Sequence, residues 1–369
     1  MTTEQIYTLV NAVNSQAFGE SALAVVDTSS LISLGNTVLS SSTNTEAFLN
    51  TLAQRIGRTI LRFREYRNKL GDMVINDFEY GAILQKIKVQ MPEAEEDDMY
   101  DLVDGQSVDQ WEVAKPDVVQ KLFVTRTPYM FHITVQRKTL KEAFLDETAM
   151  GAFIGVIFGE VRNAIEVSLE NLGRITLATA IAETHNTARE INLVTNYNNA
   201  TGSSLTAADA LFDKDFLAYA AGQLNHYQDL MQDMSALYND GTVKTFTPAG
   251  DLKVRINSRF DRALETVVQN AAYNKALVDV ENKTIINFWQ AEQNPRDVII
   301  KRPSDDTQVT ANNVVAILHD KDALGVYKIE EDVATTGVNA RGMYYNTFWH
   351  EKQLRFIDKS ENIVIFTLN

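Results

Sequence analysis

The chain has 369 residues, with 34 basic against 49 acidic side chains and a net charge of −15. Hydrophobic residues make up 45% and charged ones 22%, which fits an ordered chain and excludes disorder, collagen and coiled coil. With no cysteine, a disulfide framework, a thiolate metal site and a cysteine nucleophile are excluded as well. This length usually means two or three domains. Net acidity argues against tight duplex binding, which needs clustered Lys and Arg. The first residues, MTTEQIYTLVNAVNSQ, carry neither the basic nor the apolar region of a signal peptide. The longest apolar run, Ala149 to Gly159, is 11 residues, too short to cross a bilayer. These features describe a soluble, intracellular-type protein with no membrane partner.

Residues 2–16 open with Thr2 and Gln5 at capping-box spacing, then place Ile6, Leu9, Val10 and Val13 on one helical face. Such a short amphipathic helix needs something to bury it. Asp27 to Thr45 is rich in Ser, Thr and Asn and reads as an extended connector. A second helix starting at Asn44 or Thr45 turns Leu49, Leu52 and Ile56 inward and ends near Gly57. Together these segments predict an arm that packs on another surface.

From Thr59 to Val135 the period becomes two. Leu61 and Phe63 alternate with Arg62 and Arg64; Ile83, Ile87, Val89 and Met91 oppose Leu84, Lys86, Lys88 and Gln90; Tyr129, Phe131, Ile133 and Val135 alternate with polar neighbours. An acidic stretch opening at Pro92 lies between the last two. The pattern predicts a long two-stranded excursion, which must rest on another surface because isolated hairpins are marginal in water.

A helix of about Glu147 to Glu183 follows, with Asp146 as N-cap and a stripe of Met150, Phe153, Ile154, Ile157, Val161, Ala164, Ile165 and Leu172. Gly151, Gly155 and Gly159 recur every four residues, each costing about 1 kcal/mol of helix propensity, so the spacing predicts a closely packed backbone neighbour. After an Asn-rich loop (Asn196 to Gly202) the chain is mixed α/β: a helix carrying Leu217 to Met234, a turn at Asn239-Asp240-Gly241, a helix from Ser258, and strands at Val298–Ile300 and Val314–Leu318. The last stretch is strand-like at Gly325–Ile329, Tyr344–Phe348, Leu354–Ile357 and Ile363–Leu368, with a charged turn from Asp358 to Asn362.

The chain holds no phosphate-binding, dinucleotide, nucleophile-elbow or HExxH motif. Its five histidines (132, 185, 226, 319 and 350) lack ligand spacing, and the carboxylates of 93–104 lack the order of a calcium loop. No cofactor, metal or catalytic constellation is expected. Charge is the exception. Arg55, Arg58, Arg62, Arg64, Arg67 and Lys69, opposed only by Glu65, give a local +5; Glu93, Glu95, Glu96, Asp97, Asp98, Asp101 and Asp104 give a local −7. The two blocks pair within one chain or between chains, or the basic run faces nucleic acid. Self-repulsion within each block favours pairing between chains, an assembly that weakens as salt shortens the Debye length.

This order of parts resembles the tailed-phage major capsid protein fold, shared with encapsulins and herpesvirus capsid floors, and most of all the capsid proteins of short-tailed phages. The resemblance is carried by Gln54-Arg55-Ile56-Gly57-Arg58 before the excursion, by Val338 through Asn346 followed by Phe348-Trp349-His350, and by Leu354-Arg355-Phe356 through Phe366. Some relatives continue beyond the last of these into an immunoglobulin-like decoration, which these residues do not include. The resemblance implies an α+β fold with an N-terminal arm (1–58), an extended β loop (59–130), a peripheral domain with a long spine helix (131–190), an axial α/β domain (191–324) and strands returning to the peripheral domain (325–369). It implies a non-enzymatic shell protein, assembled in the host cytoplasm into the virion capsid. Its partners would be many copies of itself, scaffolding and portal proteins, and enclosed double-stranded DNA bound without sequence specificity. The inter-subunit contacts would come from the charged blocks above together with Ile6, Leu9 and Val13. An encapsulin-type compartment and an unrecognised soluble enzyme are the alternatives.

Overall fold

The computed structural model describes residues 3–19, 23–56, 66–75, 84–92, 94, 103–105, 107, 111, 113, 115–124, 126–155, 159–270, 280 and 282–369. The chain divides into two units. One comprises Met1–Tyr80, Thr125–Gly173 and Val326–Arg355; the other comprises Gly81–Val124, Arg174–Gly325 and Phe356–Asn369.

In the first unit, α1 (Thr3–Phe18), α2 (Thr28–Leu39) and α3 (Ser42–Ile56) pack with α4 (Arg137–Ala143) and α5 (Glu147–Phe153). The Asp27–Thr45 stretch corrects the expectation of an extended connector. Asp27 caps α2 by accepting from Ser30 N–H at 2.8 Å, and Leu31, Leu34 and Val38 are buried at helical spacing. Its Ser and Thr side chains up to Thr43 lie on the solvent side or half-buried, and buried Thr45 donates to the Val38 carbonyl at 2.9 Å. A second correction concerns α1. Ile6, Leu9 and Val13 are buried in a core shared with α3 and α5, so the cover for this face comes from the same chain. Thr2, the expected cap, lies outside the described residues.

Four strands form this unit's sheet in the order β1 (Val74–Ile75), β11 (Leu324–Thr335), β12 (Tyr344–Ile357), β4 (Arg126–Gln136). The alternation of β4 is as expected: Phe131 and Ile133 are half-buried, Val135 is buried, and it runs antiparallel to β12. The two strands expected at 344–348 and 354–357 are one continuous β12.

The predicted long helix is two described helices, α5 and α6 (Gly159–Thr184), with residues 156–158, and so Ile157 of the stripe, outside the description. Asp146 caps α5 as expected, accepting from Ala149 N–H at 2.7 Å. At Gly151 and Gly159 the glycine spacing brings in no backbone. A Cβ on Gly151 would meet the Ile6 side chain at 2.9 Å, and one on Gly159 would meet open space.

The second unit is built on a five-stranded sheet in the order β5 (Glu190–Asn192), β13 (Ile363–Thr367), β10 (Val314–Asp320), β6 (Leu252–Asn257), β7 (Lys283–Ile286). Its central strands β10 and β13 are buried along their whole length, which is why they read as unbroken apolar runs. Here β13, grouped by its sequence with the returning strands, pairs instead with β10 and β5. Helices α7 (Leu193–Thr201), α8 (Lys214–Leu230) and α9 (Ser258–Asn270) cover the sheet through Phe216, Leu217, Leu224 and Leu264. The Asn-rich stretch expected as a loop is α7. Asn192 caps it, accepting from Thr195 N–H at 3.1 Å, and Gly202 ends it at φ 70°, a conformation that favours glycine. Strands β8 (Val298–Lys301) and β9 (Gln308–Ala311) make a separate hairpin. Among the described residues no helix is long and apolar enough to cross a membrane.

Candidate assembly interface

Within the second unit, β2 (Leu84–Val89) and β3 (Val118–Phe123) form a two-stranded antiparallel ribbon in which Lys86 faces Lys121 and Lys88 faces Val119. A strand sends alternate side chains to opposite faces, and in a half-buried ribbon the apolar set normally turns inward. Here the faces are partly reversed. Lys86, Lys88 and Lys121 point inward beside Leu84, Val119 and Phe123, whereas Ile87 and Val89 are 60% and 56% exposed and share their face with Met91, Val118, Leu122 and Val124. The contribution of Ile83 lies outside the described residues.

Charge explains the reversal. The lysines meet a seat of carboxylates on the β12–β13 turn and on the turn after α8. Lys121 Nζ lies 3.0 Å from Asp240 Oδ2 and 3.1 Å from Asp358 Oδ1; Lys86 Nζ lies 3.4 Å from Asp358 Oδ2. Lys88 Nζ is 2.8 Å from Glu361 Oε2 and donates to the Ser360 carbonyl at 3.0 Å. Lys86 also donates to the Asp322 carbonyl and sits 5.1 Å above the Phe356 ring, which packs at 5.3 Å on Phe123.

The charged turn from Asp358 to Asn362 is therefore interior: Asp358, Ser360 and Asn362 are at most 1% exposed. Burial by itself would raise the Asp358 carboxyl. The Ser360 hydroxyl and the two nearby lysines outweigh it and hold the group below the ordinary carboxylate range. The same balance, with Thr242 and Lys121 as donors, lowers Asp240. At Glu361 burial wins over Lys88 and the carboxyl is pushed up, as it is at buried Asp320. Asp358 and Asp240 are thus the committed anions of the seat.

The predicted contact residues are distributed differently. Arg55 ends α3 and donates to Gln16 Oε1 at 2.6 Å. Arg67 and Lys69 are exposed, and Lys69 N–H donates to Glu170 Oε2 at 3.2 Å. Arg58, Arg62, Arg64, Glu93, Glu95, Glu96, Asp97 and Asp98 lie outside the described residues, as do Leu61 and Phe63. The seat at Asp240, Asp358 and Glu361 was not anticipated. Its one sequence signal is the unusual pairing of lysines with β-branched residues in a strand opposite a carboxylate-rich turn. No group of His, Asp and Glu among the described residues could hold a metal ion.

A family model for Phi29-like phage major capsid proteins matches residues 10–367. The chain is 23% identical to the major capsid protein of Bacillus phage PZA over 363 residues, covering 98% of this chain and 72% of that protein. Among solved structures it resembles a chain in the capsid of Staphylococcus phage Andhra, with 12% identity, a TM-score of 0.55 and coverage of 84% and 87%. It also resembles a chain in a structure of native bacteriophage P68, with 12% identity, a TM-score of 0.53 and coverage of 84% and 87%. These likenesses give the fold as that of tailed-phage capsid proteins. They give no support to the encapsulin and enzyme alternatives.

Proposed function

Because this chain belongs to the Phi29-like phage major capsid protein family, and so is a structural shell protein that assembles in many copies, we propose that those copies close into an icosahedral-type shell around double-stranded DNA. The match over residues 10–367 carries this reading. The outward apolar face of the ribbon supports it: Ile87, Val89, Met91, Val118 and Leu122 form a contiguous exposed stripe, and such stripes mark interaction sites. A neighbouring copy covers that stripe. Because each subunit touches several others, contacts that are individually weak add up to a stable shell.

Exposed Arg67 and Lys69, with the rest of the basic run, pair with the acidic block of an adjacent copy. Scaffolding and portal proteins guide closure in the host cytoplasm. DNA is held without sequence-specific contacts, since a net charge of −15 repels phosphate and eases packing and ejection. The chain works without catalysis.

The test is expression of the full chain, alone and with the scaffolding protein of its phage, followed by sedimentation and negative-stain microscopy. Closed shells of uniform size are expected. A protein that stays monomeric under both conditions refutes the reading.

A further inference from the structure

The ribbon is attached to its own subunit by an unusual balance of forces. Its inward face carries three lysines against carboxylates, with Phe123 on Phe356 as the aromatic contact. Leu84, Val119 and Phe123 share that face, but Ile87, Val89, Val118 and Leu122, whose burial would hold a ribbon irrespective of salt, point the other way. The lysines are 19%, 20% and 27% exposed, so ions reach the pairs. At 1 M salt the Debye length, about 3 Å, is as short as the pair distances themselves.

We infer that the β2–β3 ribbon is an electrostatic latch: Lys86 and Lys121 on Asp240 and Asp358, and Lys88 on Glu361, hold it on its own subunit, and ionic strength releases it without unfolding the five-stranded sheet. The two faces respond oppositely to salt. The lysine seat weakens as salt rises, while burial of the Ile87, Val89 and Leu122 face does not weaken and is strengthened by sulfate or phosphate. Ionic conditions therefore set whether the ribbon stays on its own subunit or is free to move while its apolar face is covered by another. The latch is a property of the isolated chain and does not rest on the shell reading.

Hydrogen exchange on the unassembled full chain, separated by sedimentation, tests it. Once off its seat the ribbon has the marginal stability of an isolated hairpin. Amides of Leu84–Val89 and Val118–Phe123 should be protected at low salt and lose at least about tenfold of that protection in 1 M NaCl, while Val314–Asp320 in β10 stays protected. The Lys86→Met, Lys88→Met, Lys121→Met triple variant keeps the apolar stems and should show the released exchange already at low salt.

A double-mutant cycle of Lys121→Met with Asp240→Asn guards against general damage. Each single change should lower ribbon protection, and the pair together should lower it by less than the product of the two. Ribbon protection that ignores both salt and the triple variant overturns the latch. So does loss of β10 protection in step with the ribbon, or strict multiplicativity in the cycle. Failure to form shells with normal ribbon release would count against the shell reading alone.

Discussion

Replacing Asp358 by asparagine removes one charge from the point where two lysines meet. Lys121 Nζ lies 3.1 Å from one carboxylate oxygen and Lys86 Nζ 3.4 Å from the other. Ser360 donates to Oδ1 through its N–H at 3.0 Å and its hydroxyl at 2.7 Å. Asparagine keeps a carbonyl for Ser360 but turns an amide towards Lys86. Stripping one partner from a fully buried pair costs about 3–5 kcal/mol. Lys86 and Lys121 are partly exposed, so water recovers part of that, and about 1–3 kcal/mol is expected for Asp358→Asn.

Glu361→Gln is the control of opposite sign. Burial holds that carboxyl above its ordinary 4.5 in spite of Lys88, so its ionised form is the costly one, and glutamine should leave stability unchanged or raise it slightly at neutral pH. Urea unfolding by circular dichroism, with hydrogen exchange in β10, measures both. Equal losses, or a larger loss for Glu361→Gln, would refute the division of the seat into committed and burdened carboxylates.

The same division sets the pH dependence. The stability from Asp358 and Asp240 is complete above their ordinary 3.8 and is lost as pH falls through their depressed values. Glu361 and Asp320, raised by burial, are instead relieved as pH falls through theirs. Acid unfolding of the monomer should therefore begin only below about pH 4, as a pH titration of circular dichroism would show. On the outward face, Ile87→Lys with Leu122→Lys should abolish shell formation seen by negative stain while leaving the monomer's unfolding free energy in urea within about 0.5 kcal/mol. In the first unit, a Cβ at Gly35 would lie 2.6 Å from Phe144 Cβ, so Gly35→Ala should cost about 1–3 kcal/mol in thermal unfolding. Asn192→Ala removes the cap of α7 and should cost about 1 kcal/mol by the same measurement.

Much of the architecture could be read from local pattern because the physics behind it is local. The buried stripe of α1, the cap at Asp146, and the two-residue alternation of β4 follow from side chains a few positions apart. The errors share a cause. Composition suggested loops at Asp27–Thr45 and at Asn196–Gly202, yet a cap residue followed by apolar positions at helical spacing outweighs Ser, Thr and Asn content once a core receives the stripe. Short strands such as β5, β6 and β7 went unread, since a four- or six-residue strand is defined by its partners more than by its own residues.

Alternation along β2 places Lys86 and Lys88 on one side and Ile87 and Val89 on the other from the amino acids alone, whereas its partner strand β3 carries no such reading. Which side turns inward could not be settled there. It depends on carboxylates more than 100 residues away, on turns whose burial no local pattern states. Sequence spacing sets side-chain periodicity because bond geometry is short-ranged; the sign of a face is set by the field it meets, and only the assembled chain supplies that field.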